Sequence, residues 1–352
     1  MKLKHQSMER TDKPQVAHSR GQPPQGGAAC RVPERSGKGW FQPLLPALLA
    51  LLLIPLLPVA FGSGPLALSG PMVLHGQDRV EEVRSLAPDG RLSVAAVRHA
   101  VTVQVWDRDE VEVVATLDED REELEISGDE RDLSIEIQHA RGGMRGPSGS
   151  ATLELRVPAG IRLELSTVSG SQQVAGLTGS VRMSSTSGSQ LLEGTPSSAD
   201  LNVVSGSVQV TGVIPELRVN AVSGRVEIEG VEGRVDVSAV SGSVRIEASQ
   251  PLEQLRVKAV SGSIQVSGPF TSRASVELET HSGSVTLQVP SATPAAYELD
   301  TMSGSIRNGI SGDEPRSPRF GPGRSLDFRV GDATARVRIQ TFSGGIRLEA
   351  LN

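Results

Sequence analysis

Ser-Gly pairs recur down the second half of the chain on a regular beat, and no other feature limits the fold so tightly. They begin at Ser169, Ser187, Ser205, Ser223, Ser241, Ser261, Ser282, Ser303 and Ser343. The first four intervals are 18 residues, the next three are 20, 21 and 21, and the last is 40. A period of this size marks a solenoid, whose repeats bury their apolar faces only against one another.

Counting from each serine shows how a repeat is built. Six and four residues before it stand apolar pairs such as Leu163/Leu165, Val181/Met183, Leu217/Val219, Val235/Val237, Leu255/Val257 and Val337/Ile339. Three and five residues after it stand Val208/Val210, Val226/Ile228, Val244/Ile246, Ile264/Val266, Val285/Leu287 and Ile346/Leu348. Spacing of two is strand spacing, so each pair points to one face. One repeat is therefore two short strands, each sending two side chains inward. The first two repeats and Asn308 depart from the second pattern. A tight turn after so short a strand favours positive φ, which glycine adopts without penalty. The expansions to 20 and 21 residues fall at the opposite corner, near Pro251, Pro269, Pro290 and Pro294.

Five residues before the serine the charge alternates: Glu164, Arg182, Asp200, Arg218, Asp236, Arg256, and then Glu277 and Glu298 break the pattern. In a parallel in-register stack each acid meets a base above and below, which supports the register. Asn202 and Asn220 share one outward position and predict a short amide ladder.

The fold expected is all-β: a parallel β-solenoid with two short strands per rung of about 18 residues, of either hand, preceded by a disordered tail and one apolar membrane helix. Residues 72–157 read as alternating strands that cap or extend the stack, with a Gly-rich loop at 141–150. Residues 158–350 carry the solenoid. The stretch 309–333, with Pro315, Pro318 and Pro322, reads as a loop excursion before a final rung at Val337–Leu348.

Residues 1–39 hold eight Lys/Arg against three acids, a balance of +5 on a chain of net charge −6. They lack apolar periodicity and read as a disordered cytoplasmic tail. Residues 40–62 carry no charge and hold a leucine-rich run, Leu44–Ala60, behind Trp40 and Phe41. That length suits a membrane anchor, with the basic side in the cytoplasm, or a signal segment cut near Ala60–Gly62 or Ala67–Ser69. Residues 63–71 are a linker. The body is then −11, which argues against a nucleic-acid partner. The single cysteine, Cys30, excludes an internal disulfide, and no apolar stretch precedes it to make a lipid-attachment box.

Val105-Trp106-Asp107 with Glu110-Val111, Val157-Pro158-Ala159-Gly160, the repeated Val-Ser-Gly-Ser-Val unit and the ending Ile339–Ile346 together resemble a bacterial family of adhesin-like proteins with β-strand repeats, a domain of unknown function. The resemblance covers roughly residues 90–350. It implies a β-solenoid outside the cytoplasm, often tethered to a membrane, and it brings no catalytic residues.

Glycan-active β-helices cluster carboxylates on one face. The candidates here are Glu227, Glu229, Glu247 and Asp236, with Arg218, Arg245 and Arg256 on neighbouring rungs. Their alternation neutralises charge where an active site concentrates it, so they read as solvated faces. Calcium-binding rolls need an Asp at every turn, and these turns read Ser-Gly-Ser-Val. His5, His18, His75, His99, His139 and His281 are scattered. His281, Met302 and Phe342 replace the usual Val before a Ser-Gly pair and read as a wider end of the core. No Gly-rich phosphate loop is present. No catalytic, cofactor-binding or metal-binding residue is assigned. The expectation is a non-enzymatic envelope protein of the inner membrane that presents a rigid solenoid to a protein or glycan partner. The alternatives are a glycan-active enzyme, an envelope-stress signalling component, and a secreted form after cleavage.

Overall fold

The computed structural model describes residues 77–118, 122–139, 151–317 and 322–351. Within them every regular element is a strand, and inward and outward side chains alternate along each straight segment, the parity switching at the Ser-Gly corner in β14 and β15. Seven strands precede the repeats: β1 (Gln77–Ser85), β2 (Arg91–Ala96), β3 (Ala100–Trp106), β4 (Glu110–Asp118), β5 (Glu122–Gly128), β6 (Asp132–His139) and β7 (Thr152–Pro158). The repeats then supply β8 (Arg162–Ser169) with β9 (Gln172–Ala175), β10 (Ser180–Ser187) with β11 (Gln190–Glu193), and β12 (Ser198–Ser205) with β13 (Val208–Thr211). In β14 (Glu216–Glu229) and β15 (Gly233–Glu247) the strand continues through the Ser-Gly corner. Next come β16 (Leu252–Ser261) with β17 (Ile264–Ser267), β18 (Phe270–Ser282) with β19 (Val285–Pro290), and β20 (Ala295–Ser303) with β21 (Ile306–Asn308). The chain closes with β22 (Arg324–Val330), β23 (Ala335–Ser343) and β24 (Ile346–Leu351).

Residues 18 apart do lie over one another: Arg182 pairs with Asp200, and Val226 with Val244. One face of the stack runs β5, β6, β2, β8, β10, β12, β14, β15, β16, β18, β23, β20, β22. The other runs β1, β4, β7, β3, β9, β11, β13, β14, β15, β17, β19, β24, β21. Rungs about 4.8 Å apart put such a stack on the order of 50 Å long.

This order corrects the expected fold class. The stack is not purely parallel: β1 with β4, β4 with β7, β5 with β6, and β20 with β22 are antiparallel, all at its two ends. A parallel stack ends in bare backbone edges, and reversed strands cover the last rungs. No helix occurs among the described residues, and none there is long and apolar enough to cross a membrane. The apolar helix expected at residues 40–62 is therefore not part of the fold described, and that segment, the 1–39 tail and the 63–71 linker lie outside the described residues.

Chain order and spatial order also part at both ends. The rung made by β23 and β24 does not follow β20 and β21 but is inserted before them, against β18 and β19. At the other end, β2 and β3 lie between β6/β7 and β8/β9. The stretch expected as a loop excursion holds β22, which reverses against β20 with Tyr297 opposite Phe328.

The core is deeper per rung than two residues per strand. Position −2 points inward too, as Thr167, Ser185, Val203, Ala221, Ala239, Ala259, Thr280, Thr301 and Thr341 are all buried. Gln172 and Gln190, the departures in the first two repeats, are buried as well and form a polar ladder. Gln190 Nε2 donates to Gln172 Oε1 at 3.0 Å, and Gln172 Nε2 donates to Thr167 Oγ1 at 2.9 Å. Bonding of this kind offsets the cost of burying an amide, here through both Nε2 groups and Gln172 Oε1.

The corner glycine serves two needs at once. Gly242 has φ +136°, and a Cβ there would stand 1.7 Å from the carbonyl oxygen of Gly224 in the rung beneath. Only glycine lets successive corners nest at rung spacing.

Candidate binding surface

Three outward columns follow from strand parity on the longer strands. Column −5 is the charge ladder, and the inserted rung completes it. In space the order is Glu277, Arg338, Glu298, so alternation runs unbroken where the sequence shows two acids in succession. Arg256 Nε meets Glu277 Oε2 at 2.9 Å, Arg338 Nη2 meets Glu298 Oε1 at 3.2 Å, and Arg182 Nε lies 3.6 Å from Asp200 Oδ2. These pairs are exposed, so each is worth a few tenths of a kcal/mol, and their main effect is on register. In column −3 Asn220 Nδ2 donates to Asn202 Oδ1 at 2.9 Å, the amide ladder expected, and Lys258 Nζ meets Glu279 Oε2 at 3.0 Å.

Column −1 is apolar and faces out. It comprises Val168, Val204, Val222, Val240, Val260, Met302 and Phe342, with Thr186 and His281. Val168 is 50% exposed and Phe342 36%. The expected wider core end is thus corrected: His281 is exposed, and its ring stacks on Phe342 at 4.8 Å and 6°. The signal was in the sequence, since position −1 has the parity of the outward positions −3 and −5. At the corner beside this column the Ser-Gly serines are exposed in every repeat.

Of the carboxylates weighed for catalysis, Glu227, Glu229 and Glu247 share one face and Asp236 lies on the other. Asp236 sits in column −5 between Arg218 and Arg256. Glu227 lies on the other face, opposite Arg245 and 3.6 Å from Arg225. Glu229 and Glu247 are neighbours in register, and Glu247 is held by Arg245 Nε at 2.6 Å. A groove of about 330 Å³ at the start of the longer strands is lined by both signs, including Arg91, Arg162, Glu164, Arg182, Asp200 and Arg218. No group of three or more metal-ligating side chains exists among the described residues.

Where β20 meets the terminal strand β22, three acids lie close together: Glu298 and Asp300 on β20 and Asp327 opposite Glu298. Burial raises the Asp300 carboxyl above its ordinary range, Glu298 and Asp327 raise it further, and Gln340 and Arg338 oppose them. Burial alone pushes the Tyr297 phenol up to about 12, and its ring stacks on Phe328 at 4.7 Å. At the other end His99 is fully buried, with Nε2 3.3 Å from Glu122 Oε2. It takes the place that Gly170 takes in the adjoining rung, its carbonyl oxygen lying against Gly170, and no motif in the sequence announces that pairing.

Stacked two-strand rungs with nested Ser-Gly corners and reversed strands at each end define a repeat protein of the β-solenoid class. The chain belongs to the Toastrack DUF4097 family, whose model matches residues 90–312. The resemblance read from the sequence is thereby borne out. Among solved structures the chain is similar to a candidate adhesin from Parabacteroides merdae, at 10% identity over 78% of this chain and 96% of that one, with a TM-score of 0.41. It is also similar to a candidate adhesin from Bacteroides fragilis, at 9% over 78% and 98% (TM-score 0.35). A candidate lipid binding protein from Parabacteroides distasonis matches at 11% over 78% and 97% (TM-score 0.33). No curated protein matches the chain.

Proposed function

We propose that this is a non-enzymatic binding protein that presents one long face of its solenoid to a protein partner outside the cytoplasm. The observation that carries the reading is the outward apolar column from Val168 to Phe342. A row of half-buried valines from Val204 to Val260, with exposed Val168 and Phe342 in the same column, leaves apolar surface in solvent of the kind that marks an interaction surface. A protein suits it better than a sugar. A sugar ring stacks on an aromatic face, and here His281 and Phe342 each give one face to the other, while the rest of the column is aliphatic apart from Thr186. Asp236 stands between two arginines on one face, and Arg225 and Arg245 sit beside Glu227 and Glu247 on the other, an arrangement that supports a role without turnover.

The charge-free run at residues 40–62 behind a segment of charge +5 supports export of the solenoid across the cytoplasmic membrane. Fractionation with intact mass tests this. A soluble cytoplasmic chain of full mass defeats it, and a mature N-terminus near Ser63 makes the product a released protein.

Crosslinked capture on intact cells tests the binding role. The wild-type chain is expected to retain a partner that the Val204→Lys, Val240→Lys double variant loses and Asp236→Asn keeps. Turnover of envelope glycans that is abolished by Glu227→Gln or Asp236→Asn overturns the reading in favour of an enzyme.

A further inference from the structure

The C-terminal rung fills a slot between two rungs that follow each other in the chain. Consecutive repeats place Glu277 and Glu298 in one column and Glu279 and Asp300 in the next. Direct contact of those two rungs sets acid against acid in both columns, which is unfavourable for side chains directly across a strand pair. The inserted strand removes both conflicts, since Arg338 stands between the first pair and Gln340 between the second. Its inward side chains, Ala335, Val337, Ile339, Ile346 and Leu348, are buried between the two rungs. The slot is thus an acceptor for a basic strand of defined register.

The link into the slot is short and strained. Residues 331–334 carry the chain from β22, on the outer side of β20, back across the start of β20 to its inner side. Within that link Gly331 has φ +58° and Ala333 has φ +48°, and Ala333 is the non-glycine residue with positive φ among the described residues. A side chain in that region stores backbone strain. A short strained hinge ahead of a separable element favours exchange of that element between copies.

We propose that the rung Ala335–Leu351 is exchangeable, and that the slot between β18/β19 and β20/β21 accepts the same rung from a second copy, giving reciprocally swapped dimers. Exchange preserves every contact inside the slot, including both charge columns, and lets the 331–334 link straighten.

Cysteine pairs in the full chain test this, with Cys30→Ser to remove the native thiol. Ser282 and Ser343 are exposed neighbours in register on β18 and β23. Two differently tagged chains, one with Ser282→Cys and one with Ser343→Cys, are co-expressed and oxidised. A cross-chain disulfide is expected well above that of a Ser223→Cys, Ser241→Cys mixture, whose rungs follow each other along the chain. Ala333→Gly relaxes the hinge and is expected to lower the cross-chain yield. A mixture no better linked than the control overturns the proposal if Ser282→Cys, Ser343→Cys on one chain forms its internal disulfide. Absence of any disulfide in that double variant, internal or cross-chain, overturns it too, because the rung order itself is then wrong.

Discussion

Asp300 lies among Glu298 and Asp327 near the end of the stack, and its position makes a signed prediction. Folding raises its pKa above the ordinary 3.8, through burial first and the two acids second. The folded state then holds that proton longer than the unfolded chain does. Its favourable contribution is complete below the ordinary value and is lost as pH rises through the raised one. Asp300→Asn should match the wild type in acid and melt at a higher temperature near neutrality, as thermal melts across pH 3–8 will register. Tyr297 is the single tyrosine of the chain, so phenolate absorbance reports on it alone. Its titration is expected near 12, from an ordinary 10.0, with the shift vanishing in denaturant. Glycines differ sharply by site. Gly242→Ala meets both a positive φ and the Gly224 oxygen, and should cost about 3 kcal/mol or more in denaturant unfolding. Gly312 has open space around it, and Gly312→Ala should stay within about 0.5 kcal/mol.

Strands decide register through their outward columns. Arg338→Glu turns this end of the ladder into four successive acids, Glu277, the new glutamate, Glu298 and Asp327. The lost pair with Glu298 and the repulsion that replaces it should lower stability by about 1 kcal/mol. Because the column is exposed, raising salt should recover much of that loss, and a melt that ignores ionic strength would remove the ladder from the argument. Strand parity was legible here from spacing alone: the inward aliphatics, the amide ladder and the charge column all appear at their sequence positions. Parity also assigned the apolar column to the outside, a consequence that reading His281 and Phe342 as core overlooked. A ring attracts a core assignment by composition, whereas its direction is set by the two-residue period of the strand.

The whole stack behaves as a one-dimensional array in which each rung contacts its neighbours. Deleting residues 188–205 brings Arg182 onto Arg218, while deleting residues 188–223 brings Arg182 onto Asp236. The larger deletion should therefore cost less per rung removed than the smaller one, as chemical unfolding of both variants will show. At this scale the candidate site was only partly readable. The rungs from β8 to β18 follow the chain, so their surface could be written down from the repeat. The surface beyond β18 could not, because the rung that supplies Arg338, Gln340 and Phe342 arrives from the far end of the chain.

By itself the sequence determined the rung: its length, its two strands, its glycine corner, and which side chains face in or out. Those properties are local, because a period of two and a positive φ act over a few residues. Only the tertiary structure decided the order of rungs at the two ends and the reversed strands that close them. Those choices depend on which distant segment fills an edge with matching charge and shape, and a periodic pattern carries no label for that. The break at Glu277 and Glu298 was the trace it left, visible in the sequence and explained only once Arg338 stood between them.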